Sequence, residues 1–184
     1  MRAHGFLLFD AAVQDHALAW CYRELPMCQP VPLLYETEYQ ALAEQGPVLL
    51  AVSAGSVPEQ SWLQKQGPLA NAVWLESTLS AGVLTRLLQK RLQVFSPSGQ
   101  RLWLRLADAR PLWRAHQSST AWPDSFWQGI DAVWLNTPSG PIEIWQHQQS
   151  TEALAIPPEG IAPILTLDWP LLHALAGTDK EIAK

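Results

Sequence analysis

Gly5-Phe6-Leu7-Leu8-Phe9-Asp10 sets four consecutive large apolar residues between a glycine and an aspartate. The run lacks the polar alternation of a strand with one wet face and is too short for a helical stripe, so it reads as a strand covered on both sides. It also falls well short of a signal-peptide core or a membrane span.

Working outward, Ala12 to Glu24 is compatible with a helix. Pro26, Pro30 and Pro32 then predict a crossing loop, since each lacks an N–H and pushes its predecessor toward extended geometry. Thr37 to Gln45 fits a short helix stopped by Gly46 and Pro47, and Val48 to Val52 has the apolar density of a second core strand. Ser53 to Val57 reads as a loop and Ala72 to Leu75 as a third strand, after which Thr78 or Ser80 would cap a helix. Val83, Leu84, Leu87, Leu88 and Leu92 recur at helical spacing, with Arg86, Gln89, Lys90 and Arg91 on the opposite side.

Ser96 to Gly99 is a turn. From Arg101 to Ala107 the leucines at 102, 104 and 106 alternate with Trp103 and Arg105, the period of a strand with two unlike faces, and Asp108 is placed to cap a helix beginning near Pro111. Ala132 to Leu135 and Ile142 to Trp145 flank Asn136-Thr-Pro-Ser-Gly140, a hairpin signal. Pro157, Pro158, Gly160 and Pro163 mark an irregular passage, and Trp169 or Pro170 to Ala176 fits a last helix stopped by Gly177. Strands interleaved with helices and a late hairpin predict an α/β or α+β chain, with a mixed sheet flanked by helices. The order of the strands stays open.

A chain of 184 residues with 48% hydrophobic and 16% charged side chains is long and apolar enough to fold around one core. Residues 1–135 are expected to form that core, with 136–184 as a C-terminal segment of the same domain. A net charge of -5 with 12 Lys and Arg argues against a nucleic-acid partner, which would call for a basic footprint. No membrane partner is expected either, and the expected compartment is the cytoplasm. Cys21 and Cys28 match neither a CxxC pair nor half a zinc knuckle and read as reduced thiols.

The motifs of chemistry are sparse. The chain has no GxSxG, no GxGxxG and no GxxxxGK[ST], and Ser53 before Gly55 is ordinary loop composition. His4, His16, His116, His147 and His173 are scattered without metal-binding spacing, so no cofactor or metal is expected. An enzyme would have to pair Asp10 or Asp108 with a nearby histidine as general acid and base, the arrangement of a small hydrolase. Arg101, Arg105, Asp108, Arg110 and Arg114 gather scarce charges around one strand end. Guanidinium forks there could grip a carboxylate of a partner, or Asp108 could simply cap its helix and pair with Arg105 or Arg110. Trp113, Trp122, Trp127, Trp134, Trp145 and Trp169 crowd the C-terminal half, where core packing competes with a role as interface anchors.

Leu7-Leu-Phe-Asp-Ala-Ala12, Pro32-Leu-Leu-Tyr35, Leu42-Ala-Glu-Gln-Gly-Pro-Val-Leu-Leu50, Trp74-Leu-Glu-Ser-Thr-Leu79 and Pro97-Ser-Gly-Gln-Arg-Leu-Trp-Leu-Arg-Leu-Ala-Asp-Ala-Arg110, in that order, resemble the type VI secretion effector chaperones or adaptors. Phe126-Trp-Gln-Gly-Ile130 is a fainter echo. Ala109 stands where that family usually has proline and Ala107 where it has an aromatic residue. The resemblance implies a non-enzymatic protein that binds a cognate effector, keeps it soluble and delivers it to a VgrG-type spike. On that reading Trp113, Trp122, Trp127, Trp134 and Trp145 are the expected cargo surface, and Arg105, Asp108 and Arg110 a docking or structural turn. An immunity protein that inhibits a toxin is the other protein-binding reading.

Overall fold

The computed structural model describes residues 4–123, 125–147 and 160–177. In chain order the elements are β1 (His4–Asp10), α1 (Ala17–Glu24), β2 (Pro30–Pro32), β3 (Pro47–Ser53), α2 (Val57–Leu63), β4 (Val73–Glu76) and α3 (Ala81–Gln89). There follow β5 (Gln93–Phe95), β6 (Arg101–Trp103), α4 (Ala109–Gln117), β7 (Ala132–Thr137), β8 (Gly140–Gln146) and α5 (Trp169–Ala176). The class is α+β. Six strands form one sheet in the order β2-β3-β1-β4-β7-β8, and each of its ladders is antiparallel. β5 and β6 form a separate ribbon, and an isolated parallel bridge joins Phe95 to Thr166.

The opening run lies in the middle of the sheet because both of its faces are apolar. Phe6 and Leu8 join Leu49, Val73, Leu75, Val133 and Leu135 on the face covered by α3, α4 and α5. Leu7 and Phe9 join Val48, Leu50, Val52 and Trp74 on the face covered by α1 and α2. Alternation by two thus feeds two cores from one strand, and helices must cover both. Gly5 leaves space for the fully buried Trp74: a Cβ at position 5 would sit 2.8 Å from the indole ring. Ile161, Leu167, Leu171 and Leu172 share the first core with Phe6 and Leu8, so the described C-terminal residues pack into the same body as the N-terminal ones.

Several elements differ from their sequence expectation. The stretch from Ala12 to Glu24 is broken into a 3-10 turn at Ala11–Val13 and α1, with His16 at a φ of 57° between them. The proline-rich loop contains β2, an edge strand where missing N–H groups cost nothing on the outer side. Only Gln40–Gln45 of the helix expected from Thr37 forms, as a 3-10 helix, and the loop expected at Ser53 runs into α2, starting at Val57.

Gln89, Lys90 and Arg91 are buried rather than crowning a wet face. α3 ends at Gln89, and the polar side chains there turn inward to satisfy backbone carbonyls: Gln89 Nε2 donates to Leu33 O at 2.9 Å and Arg91 Nη2 to Gln128 O. Burial pulls the Arg91 guanidinium down to about 10. The hairpin forms as expected, with both strands longer than predicted. Asn136 Nδ2 donates to Trp62 O (2.6 Å) and Leu63 O (2.9 Å), tying β7 to the end of α2. Pro157 and Pro158 lie outside the described residues, as does everything after Gly177. Among the described residues no helix is long and apolar enough to cross a membrane.

Cys21 and Cys28 are free thiols. Cys21 is fully buried, and burial, reinforced by the neighbouring Cys28, pushes its thiol up to about 11; burial also raises Cys28, which is only half-buried. The thiolate is the reactive form, so alkylation with iodoacetamide at pH 8 is expected to modify Cys28 slowly and Cys21 only after unfolding. Peptide mass mapping reads the order; equal labelling of both in the folded protein would contradict the packing of α1.

Candidate functional site

The alternating stretch from Arg101 turns its leucines inward: Leu102 and Leu104 are half-buried and Leu106 is buried, while Arg101, Trp103 and Arg105 face solvent. Only its first three residues form β6, but the extended course continues, with Leu104 N donating to Leu92 O at 2.9 Å. The chain then turns at Asp108 into α4.

Asp108 is almost wholly buried and fully engaged. Its carboxylate accepts from Arg110 N (3.0 Å), capping α4, and from Arg110 Nε and Nη2 at 2.9 and 2.8 Å, while Arg105 Nη2 lies 2.9 Å from Oδ2. Of the two sequence readings of this cluster, the capping and pairing geometry is the one formed. Asp10 likewise caps, accepting from Ala12 N at 3.0 Å, with Arg105 Nη2 3.8 Å away. Both carboxylates are bonded to backbone and guanidinium groups, and the hydrogen bonds and ion pairs of the described residues couple neither to a histidine.

α5 packs against α4, held in part by Arg114, whose Nε and Nη2 donate to Ala174 O (3.3 Å) and Leu175 O (2.7 Å), carbonyls left over at the end of α5. Between α4, α5 and the stretch from Leu102 to Leu106 runs an open groove of about 570 Å³. Its floor is Leu104, Leu106, Leu112 and Leu172, and Trp103, Trp122 and Trp169 stand along it. Trp103 is 51% exposed, with Tyr39 packed edge-on to its ring at 4.9 Å, and Trp169 is 44% exposed, stacked on His173 at 5.8 Å. Two indoles left half in water beside an apolar trough are the mark of an interaction surface, because large aromatic rings are otherwise buried.

Arg114→Ala is expected to lower stability by about 1–2 kcal/mol, the scale of charge-assisted bonds to carbonyls in a half-buried setting. It should also speed amide exchange in Leu171 to Leu175 ahead of the rest of the core. Uniform exchange rates across α4 and α5 in the variant would show that the clamp does not hold the groove's wall.

The tryptophans expected to form the cargo surface divide. Trp127 is fully buried among Phe126, Trp122 and Trp145, with ring centroids 4.8, 5.1 and 6.2 Å away, and it is core rather than an anchor. Trp134 packs half-buried on the other face of the sheet, in the α1 and α2 core. Trp145 and Trp113 are half-buried at the margin of the first core, Trp113 stacked on His116 at 5.6 Å. Trp122 does reach the groove, as does Arg105. Trp103 was missed as an anchor because a tryptophan alternating with leucines reads as one face of a strand. Its two arginine neighbours, at the same parity, were the signal that this face is wet.

A second hollow of about 650 Å³ lies beside α1, lined by Asp15, His16, Tyr22, Tyr35 and Glu44, and is more polar. Among the described residues no group of three or more His, Cys, Asp or Glu is arranged to hold a metal ion.

A family model described as a domain of unknown function, DUF4123, matches residues 5–123. No curated protein and no solved structure matches the chain. The matched span takes in the central strands β1, β3 and β4, the Asp108 turn, α4 and Trp122, that is, most of the sheet and one whole wall of the groove, and on that match the chain belongs to the DUF4123 family.

Proposed function

We propose that this chain is a cytoplasmic adaptor of type VI secretion, a chaperone that shelters a cognate effector and passes it to the VgrG spike. The observation that carries the reading is the open groove with Trp103 and Trp169 about half exposed on its lips. A molecule that holds a polypeptide needs apolar surface outside its own core, and aromatic anchors contribute most of the energy at such surfaces. The ordered motif resemblance supports the same reading, and Asp10 and Asp108, the two carboxylates a hydrolase reading would use, are engaged in helix caps and ion pairs rather than with a histidine. No cofactor enters this function.

Co-expression with the products of adjacent reading frames tests it. A stable complex with a large effector, transferred to VgrG on addition of the spike, is expected. Capture of an isolated toxin domain with loss of its activity would make the chain an immunity protein instead, and turnover of a small substrate by the purified chain would remove both.

A further inference from the structure

We infer that the groove between α4 and α5 receives an amphipathic helix of the partner chain, one whose apolar stripe is flanked by acidic residues. Only the identity of the chain that supplies the helix rests on the adaptor reading.

The walls argue for a helix. α4 and α5 have their backbone N–H and C=O groups bonded along the helices, and the last carbonyls of α5 are taken by Arg114. The sole strand in the lining, β6, is three residues long. An extended peptide laid here would bring a ladder of backbone donors and acceptors with almost nothing to pair with, and each unmet group would oppose binding. A helix arrives with those groups already bonded internally and needs only a trough for side chains at i, i+3, i+4 and i+7. Leu104, Leu106, Leu112 and Leu172 line such a trough, and Trp103 and Trp169, each about half exposed, line it with them.

Charge sets the flanks. The chain as a whole is acidic, with 17 Asp and Glu against 12 Lys and Arg, yet no carboxylate lines this groove among the described residues, and its charged lining is Arg105 and Arg114. Arg101, exposed on the same side of the stretch as Trp103, extends the basic lip. Arg105 faces Asp108 and, more distantly, Asp10 through Nη2, yet 59% of its side chain is in water, which leaves exposed guanidinium surface for a partner's carboxylate. A basic segment would meet like charge here, so the local sign selects against it.

The test uses the full chain and three labelled peptides: a leucine-striped helix with Glu flanks, the same helix with Lys flanks, and the Glu form broken by a central proline. Fluorescence anisotropy at low salt is expected to show saturable binding of the Glu helix, and binding about tenfold or more weaker for the other two. Trp103→Ala combined with Trp169→Ala should cost about tenfold or more, and Arg101→Glu should weaken binding while reducing its salt dependence. Should the double alanine variant fail to fold, Trp103→Gln and Trp169→Gln measured singly replace it, each expected to weaken binding with unchanged circular dichroism.

Equal binding of the Lys helix would overturn the acidic flanks, and equal binding of the proline form would overturn the helix. Undiminished binding by the tryptophan variants would remove the groove. Self-association of the free chain that disappears on Trp103→Ala would assign the groove to a second copy and overturn the proposal. The adaptor reading fails separately: if the Glu helix binds as described but no effector complex forms, the groove stands and the adaptor does not. If a purified effector binds the wild type and the tryptophan variants equally, the reverse holds.

Discussion

Trp127→Ala is expected to lower stability by about 3–5 kcal/mol, the cost of deleting a large aromatic ring from a close-packed core. The ring is fully buried on the α3–α5 side of the sheet and meets Phe126 edge to face at an interplanar angle of 80°. Its Nε1 has no hydrogen-bond partner among protein atoms, so packing is all it contributes. Two results follow from that. Trp127→Phe should cost far less, about 1–2 kcal/mol, because no bonded N–H is lost. Trp103→Ala, by contrast, should leave the melting temperature within a degree or two, since that ring is half in water already. Thermal unfolding of the three variants reads the order. If Trp127→Ala melts with the wild type, the first core is not assembled as described and the ring is surface after all.

That contrast locates the limit of sequence reading. Strands are legible where both faces are apolar, as in β1, because a period of two is a local property, whereas the alternation from Arg101 fixed which side chains face inward but yielded a strand only over Arg101–Trp103. Helix starts with a side-chain cap were legible at Ser80 and Asp108, which accept bonds from Val83 and Arg110 two or three residues on, whereas the cap that Asp168 gives α5 was not read. α2 was not legible. It begins after Ser56, whose hydroxyl makes no cap bond, and it is fixed by Trp62 entering the second core and donating to Ala72 O, a partner ten residues away. Strand order was equally out of reach, being set by which apolar faces meet across loops.

The site divides in the same way. The sequence carries the number of tryptophans and their crowding, but not their depth. Trp122 and Trp127, five residues apart, end on the groove and in the core, and nothing in their immediate neighbours distinguishes them. Depth is decided by distant partners: Trp127 meets Trp145 of β8, while the groove that Trp122 reaches takes its second wall from α5, which starts at Trp169. Trp169 was named with the others, but Trp103, which lines the same groove, was hidden inside a strand pattern.

Asp108→Ala is expected to cost about 3 kcal/mol and to lower the melting temperature by about 6–12 °C for a chain of this size. The carboxylate caps α4, and loss of such a cap alone costs about 1 kcal/mol. The remainder comes from the charge-assisted bonds to Arg110 and Arg105, accepted by a carboxylate only 2% exposed. The side chains of Arg110 and Arg105, 35% and 59% exposed, turn to water once the carboxylate is gone, which keeps the loss below that of a fully buried pair. Asp108→Asn keeps an acceptor for Arg110 N and should lose about half as much, whereas Arg105→Ala, which removes only the more exposed partner, should lose less than about 1 kcal/mol. The order Asp108→Ala, Asp108→Asn, Arg105→Ala separates a turn that is built for structure from one built for docking. A docking motif would give three variants of equal stability and graded binding; a structural one gives graded stability. Because Arg105 lies between this turn and the groove, Arg105→Ala alone is expected to weaken an acidic partner while the fold holds, and that divergence would place the junction of scaffold and surface at one side chain.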